Sequence, residues 1–148
     1  MGRVRSMSEA IFVKPMEHKA FTGFVWRGCF DQESRLRVIT LSDDTPVYTS
    51  TPVNILSEYR AFVLDGEILD VRRYKGDWSK VPCRDTIEGA LRVLGAYRRA
   101  FCFDWAVLEG GETVLVEMNE GYSFGHYGLK PDLYVRMLSA RWEEMSGV

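Results

Sequence analysis

An α+β fold built on antiparallel sheets is the class this sequence predicts, on the strength of two hairpin signatures and two helical segments. The first hairpin is SEYRAFVLDGEILDVRRY, in which Asp65-Gly66 separates two β-rich runs. That dipeptide suits a two-residue turn because both positions need positive φ. The second is FCFDWAVL, a Gly110-Gly111 turn, then ETVLVEMN. Ile87, Ala90, Leu91, Leu94 and Tyr97 recur at helical spacing after Asp85 and Glu88, a capping-box pair, and predict a helix over 86–100. A last helix is expected after Pro131, with Asp132 in its first turn and Leu133, Met137, Leu138 and Trp142 on its apolar side.

The remaining elements follow in chain order. Residues 1–10 (MGRVRSMSEA) read as a polar arm, and Ile11-Phe12-Val13 as a strand entering the loop KPMEHKAFTGF. Phe24-Val25-Trp26 resumes an extended pattern, a short helix is expected over 32–41, and TLSDDTP is dense in turn formers. Val47 to Ser50 reads as a strand ending at Pro52. If Asp65-Gly66 is the turn of the first hairpin, Leu64 faces Glu67, Phe62 faces Leu69, Arg60 faces Val71 and Glu58 faces Arg73. One face then gathers Glu58, Arg60 and Arg73 at the open end.

Composition narrows the functional classes. With 148 residues, 46% of them hydrophobic, the chain can bury one real core. Its net charge of −2, from 19 basic and 21 acidic residues, argues against a broad nucleic-acid footprint, with Arg72-Arg73 and Arg98-Arg99 as local basic pairs. Cys29, Cys83 and Cys102 are odd in number and lack CxxC or CxxH spacing, so neither a disulfide framework nor a zinc site is expected. No apolar run is as long as a membrane span and no secretory signal is visible, which makes a cytoplasmic protein, with no membrane partner, the expectation.

The chemistry concentrates in VLVEMNEGYSFGHYGL, residues 114–129. On a regular strand Leu115, Glu117 and Asn119 share one face, and Val114, Val116 and Met118 form the other, a core face. With Gly110-Gly111 at the turn, Leu108 pairs with Thr113, Ala106 with Leu115, and Asp104 falls opposite Glu117. Two facing carboxylates repel by roughly 0.2–1 kcal/mol. A hard divalent cation compensates, since Mg²⁺ takes carboxylate oxygens and bridges them to phosphate, and Asn119 adds a neutral oxygen. The alternative is the wet face of an antiparallel sheet. On the repulsion alone, Asp104→Asn is expected to be neutral or slightly stabilising without ligand. Lys14 and Lys19, before the small residues Thr22-Gly23, suit phosphate oxygens. His18 and His126 receive no catalytic role.

The order of FVKPMEHKAFTG, SEYRAFV and the block from Asp104 to Gly125 resembles the ATP-grasp superfamily, in particular its RimK-related clade, over nearly the whole chain from residue 12. The resemblance implies two small α+β subdomains, a lid-like 11–54 and a metal-binding 55–148, clasping ATP between their sheets. It implies ATP and Mg²⁺ as cofactors and a reaction in which a carboxylate is phosphorylated and the acyl phosphate captured by an amine or similar nucleophile. A small-molecule, peptide or amino-acid carboxylate would be the acceptor. By position, Lys14, with Lys19 and Gly23, would contact phosphates; Thr51 and Val53 would lie at the adenine hinge; Glu58 would hold ribose hydroxyls. Arg60 and one of Arg72 or Arg73 would face phosphate or the acceptor, and Asp104, Glu117 and Asn119 would ligate metal. Members of the superfamily normally carry a further N-terminal domain, while only about ten residues precede the first matching strand here. A homo-oligomer or a partner chain would supply that part, or the chain is a non-catalytic nucleotide-binding module derived from the fold.

Overall fold

A computed structural model describes residues 1–17, 20–28, 41–94 and 97–147. His18, Lys19, Cys29 and all but the last residue of the helix expected over 32–41 lie outside them. The chain separates into two compact units, Met1–Val53 and Asn54–Val148. Among the described residues, no helix is long and apolar enough to cross a membrane.

In the first unit, β1 (Ile11–Pro15) lies between β2 (Phe24–Trp26) and β3 (Val47–Ser50), all antiparallel. Val13 and Trp26 are buried beneath Met1 and Val4 of the short helix α1 (Gly2–Arg5), in one cluster with Phe24. The start of the stretch read as a polar arm is therefore part of this core. The Met1 ammonium donates to the carbonyls of Asp43 (3.0 Å) and Thr45 (2.7 Å), which ties it down.

The second unit is a four-stranded antiparallel sheet in the order β5 (Glu67–Gly76), β4 (Ile55–Leu64), β6 (Ala100–Leu108), β7 (Thr113–Glu120). Helix α2 (Arg84–Leu94) covers one face, where Ile87 packs on Ala61, Val63, Phe101, Phe103 and Trp105. Helix α3 (Pro131–Ser146) covers part of the other, where Met137 and Ala140 meet Phe62, Leu64, Ala100 and Cys102. Two covered faces explain why the central runs AFVL and AFCFDWAV are almost continuously apolar instead of alternating. Helix α2 ends at Leu94, before the expected limit of 100, because Ala100 already begins β6. Trp142 is 58% exposed, and Met137, Ala140 and Arg141 form the buried stripe of α3 in its place.

Both hairpins carry bulges that the simple registers lacked. Asp65 (φ 48°) and Gly66 (φ 82°) make the expected tight turn, and Leu64 faces Glu67. Two register shifts then place Arg60 opposite Arg72, not Val71, and Glu58 opposite Lys75, not Arg73. In the second hairpin the turn is longer than two residues, so Val107 pairs with Thr113 and Trp105 with Leu115. A bulge at Val116 restores the register, and Asp104 does face Glu117. Leu115 consequently lies on the face opposite Glu117, and Val116 is 40% exposed where a core position was expected.

Candidate functional site

The sheet's polar patch sits beside α3, where strand geometry brings side chains of all four strands to one face. Asp104 and Glu117 are direct partners, Cys102 pairs with Asn119, and Arg60 pairs with both Asp104 and Arg72. Asn119 Nδ2 donates to Asp104 Oδ2 at 3.3 Å and to Glu117 Oε1 at 3.4 Å. Glu58, on the same side of β4, binds Lys75 Nζ at 2.6 Å and accepts from Tyr74 Oη at 3.1 Å. Arg72 is held by Asp70, Nε to Oδ2 at 2.7 Å.

Arg60 dominates the centre of this patch. Its Nε and Nη2 donate to the two Asp104 carboxylate oxygens, each at 2.7 Å, and both residues are buried. Such a bidentate pair combines charge with geometric fit. Burial alone would lower the Arg60 guanidinium, but the hydrogen bonds and charge of Asp104 more than reverse this, so it is held above its ordinary value. For Asp104, burial pushes the carboxyl up, Arg60 opposes that, and Glu117 and Glu58 add to the upward shift. The repulsion expected between Asp104 and Glu117 is thus relieved within the protein by Arg60. A neutral substitution at Asp104 would strand a buried cation, which overturns the expectation that Asp104→Asn is harmless.

The loop after β7 crosses over this pair. Gly125 offers its carbonyl to Arg60 Nη1 at 3.3 Å, and the Tyr127 ring lies 4.9 Å from the Arg60 guanidinium carbon. Tyr127 also stacks on Tyr74 of β5, centroids 4.8 Å apart and planes 20° apart. The loop is anchored by Phe124, which packs on Phe62 and offers its carbonyl to Tyr134 Oη, and by the buried Leu129. Gly121 starts it for a packing reason: a Cβ there would lie 2.3 Å from the Ala100 carbonyl oxygen.

The other residues singled out in the sequence lie elsewhere. Arg73 pairs with Tyr59, on the face opposite Arg60, and donates to the Gly76 carbonyl at 2.7 Å. In the first unit, Lys14 is exposed on β1 opposite Tyr48. Gly23 packs so closely that a Cβ would meet the Phe12 ring at 2.8 Å. Thr51 and Val53 are exposed in the segment after β3. Tyr74, Tyr127 and the Arg60–Asp104 pair escaped the sequence reading, because β4 and β6 are far apart in the chain and nothing local announces their pairing.

The donor set can be tested against a cation. Two carboxylates and an amide oxygen on adjoining strands are the chemistry a hard divalent ion prefers. Their ends converge, and turning the Asn119 amide over would present its oxygen to the same point. The residues therefore fit Mg²⁺, provided Arg60 yields an Asp104 oxygen. Among the described residues, no group of three His, Cys, Asp or Glu side chains could hold a metal ion, so Asn119 is needed to complete this set.

Comparison with known proteins bears on the whole chain. No curated protein matches it in sequence. Among solved structures, the ATP-grasp ligase PsnB complexed with a minimal precursor is similar, with a TM-score of 0.59 and 14% identity over 93% of this chain and 50% of that one. PsnB complexed with the precursor peptide PsnA2 and AMPPNP gives 0.51 and 15% over 91% and 48%. N5-carboxyaminoimidazole synthetase from Staphylococcus aureus complexed with ADP gives 0.51 and 10% over 94% and 43%. The chain spans half or less of the length of these proteins, and at such identities the likeness is one of fold. The sequence profile of an ATP-grasp domain family matches residues 1–137, and the chain belongs to that family.

Proposed function

We propose that the chain is the ATP- and Mg²⁺-dependent core of a carboxylate ligase. The observation that carries this reading is the convergence of Asp104, Glu117 and Asn119 on one sheet face beside Arg60, in a member of the ATP-grasp family. In the proposed reaction a carboxylate oxygen of the acceptor attacks the γ-phosphorus of ATP, and ADP leaves. An amine nitrogen then attacks the carbonyl carbon of the acyl phosphate, inorganic phosphate leaves, and the nitrogen loses a proton. Asp104, Glu117 and Asn119 would hold Mg²⁺, which when bound supplies charge neutralisation for the transferring phosphoryl group. Arg60 would orient phosphate or acceptor carboxylate as a fixed cation, a role that needs no covalent chemistry from the protein. Glu58 would accept from ribose hydroxyls, Lys14 would meet phosphate oxygens, and the backbone at Thr51 and Val53 would read the base.

A peptide carboxylate is the favoured acceptor class, supported by the fold shared with PsnB, which has been solved with a precursor peptide. One observation favours a second reading, a nucleotide-binding module without turnover: Arg60 holds both oxygens of Asp104. Hydroxylamine trapping separates the two. With ATP, Mg²⁺ and a set of Asp- and Glu-containing peptides, the ligase reading predicts a hydroxamate and an equal amount of ADP, both absent from Glu117→Gln. Nucleotide binding without ADP release under any acceptor would leave the module.

A further inference from the structure

The Arg60–Asp104 pair occupies the position that a divalent cation would need, and it does so under an aromatic cover. Arg60 gives two donors to Asp104 and a third to the Gly125 carbonyl, so three of its five N–H groups are committed. Tyr127 lies over the guanidinium at 4.9 Å and Tyr74 lies 6.0 Å from it, and the two rings stack on each other. Tyr127 accepts a left-handed backbone (φ 43°) to reach this place, a conformation a bulky residue adopts only when its surroundings hold it. Tyr74 is in turn fixed by its hydrogen bond to Glu58. Around Asp104 stand Glu117 and Glu58, both acidic, and among the described residues no other side chain in the patch donates two hydrogen bonds to it. One positive charge is therefore required at Asp104, and Arg60 provides it.

We propose that Arg60 is the resident counter-ion of the metal site: it holds Asp104 before a divalent cation arrives and leaves when the cation takes the Asp104 oxygens. Tyr74 and Tyr127 are positioning residues that keep it there. The inference rests on the assignment of Asp104, Glu117 and Asn119 to a metal. Because the two cations compete for one carboxylate, the exchange frees the guanidinium for phosphate or acceptor carboxylate at the moment the metal is in place. It also unseats the Tyr127 ring, so the loop that spans the face responds to metal loading. Metal binding by the protein alone is correspondingly weakened, since it must displace a bidentate partner.

Mn²⁺, an oxygen-seeking probe for the Mg²⁺ site, tests this through the free-ion signal in electron paramagnetic resonance, with no nucleotide present. Arg60→Met should bind Mn²⁺ at least about tenfold more tightly than wild type, because the competing charge-assisted pair is gone. Tyr127→Ala keeps the ion pair and removes its cover; it should bind about two- to fivefold more tightly, the value of one exposed cation–π contact. It serves as the test if Arg60→Met fails to fold. In wild type, Mn²⁺ should change the near-ultraviolet circular dichroism of the stacked tyrosines, and Tyr127→Ala should lack that change. Equal affinity in wild type and both variants, with binding lost in Asp104→Asn, would overturn the exchange and leave the metal site standing. No Mn²⁺ binding by any of them would overturn the metal assignment as well.

Discussion

Asp104 has two oxygens, both held by Arg60 at 2.7 Å in a buried setting, and this decides what its removal does. A carboxylate that merely repelled Glu117 could be neutralised without loss. Asp104→Ala instead leaves the Arg60 guanidinium buried without its partner, which typically costs about 3–5 kcal/mol. Replacing both residues by apolar ones, Arg60→Met with Asp104→Leu, should recover most of that, because a buried ion pair is itself close to neutral against a well-packed apolar pair. Urea unfolding of the two single variants and the double one checks the prediction. Additive losses in the double variant would mean that the two side chains do not act as a pair.

The central strand β6 is covered on both faces, and its chemistry follows from that burial. Cys102, fully buried between Phe62 and the α3 residues Met137 and Ala140, has its thiol pushed well up by burial, against the pull of Arg60. In the unfolded chain the same thiol titrates at about 8.5. Above that pH the unfolded state holds fewer protons than the native state, so stability falls as pH rises, by up to about 1.4 kcal/mol per unit from this group. Urea midpoints at pH 8.0 and 9.5 should therefore drop more in wild type than in Cys102→Ala, and parallel drops would refute it. The hairpins and helices were legible in the sequence because their signals are local: Asp65-Gly66, the apolar spacing of α2, and Pro131 at the start of α3. Bulges were not legible, and one of them nearly moved the site. A longer turn shifted the second hairpin by one residue, and the Val116 bulge shifted it back, which is why Asp104 still faces Glu117. The first hairpin had no such cancellation, and Arg73 ended on the face away from Arg60.

At the scale of the whole chain, family membership over residues 1–137 and a fold shared with ATP-grasp ligases support a nucleotide site that depends on metal. The candidate ligands lie in the second unit, and Lys14, Gly23 and the proposed hinge residues Thr51 and Val53 in the first. Residue roles in the first unit were legible only through resemblance, since an exposed lysine on a strand has no local signal that sets it apart from a solvated one. Binding of ATP and Mg²⁺ to the native state alone would raise its stability by about 2.7 kcal/mol at a hundred times the dissociation constant. The direct measurement is the thermal melting shift of the full chain with ATP plus Mg²⁺, ATP plus EDTA, and GTP plus Mg²⁺. Wild type and Asp104→Asn/Glu117→Gln are each referred to their own ligand-free melting point. The account predicts a clear upward shift of wild type with ATP and Mg²⁺, a small one with EDTA, and loss of the metal-dependent part in the double variant. No shift of wild type at millimolar ATP and Mg²⁺, or the same shift in the double variant, would contradict it.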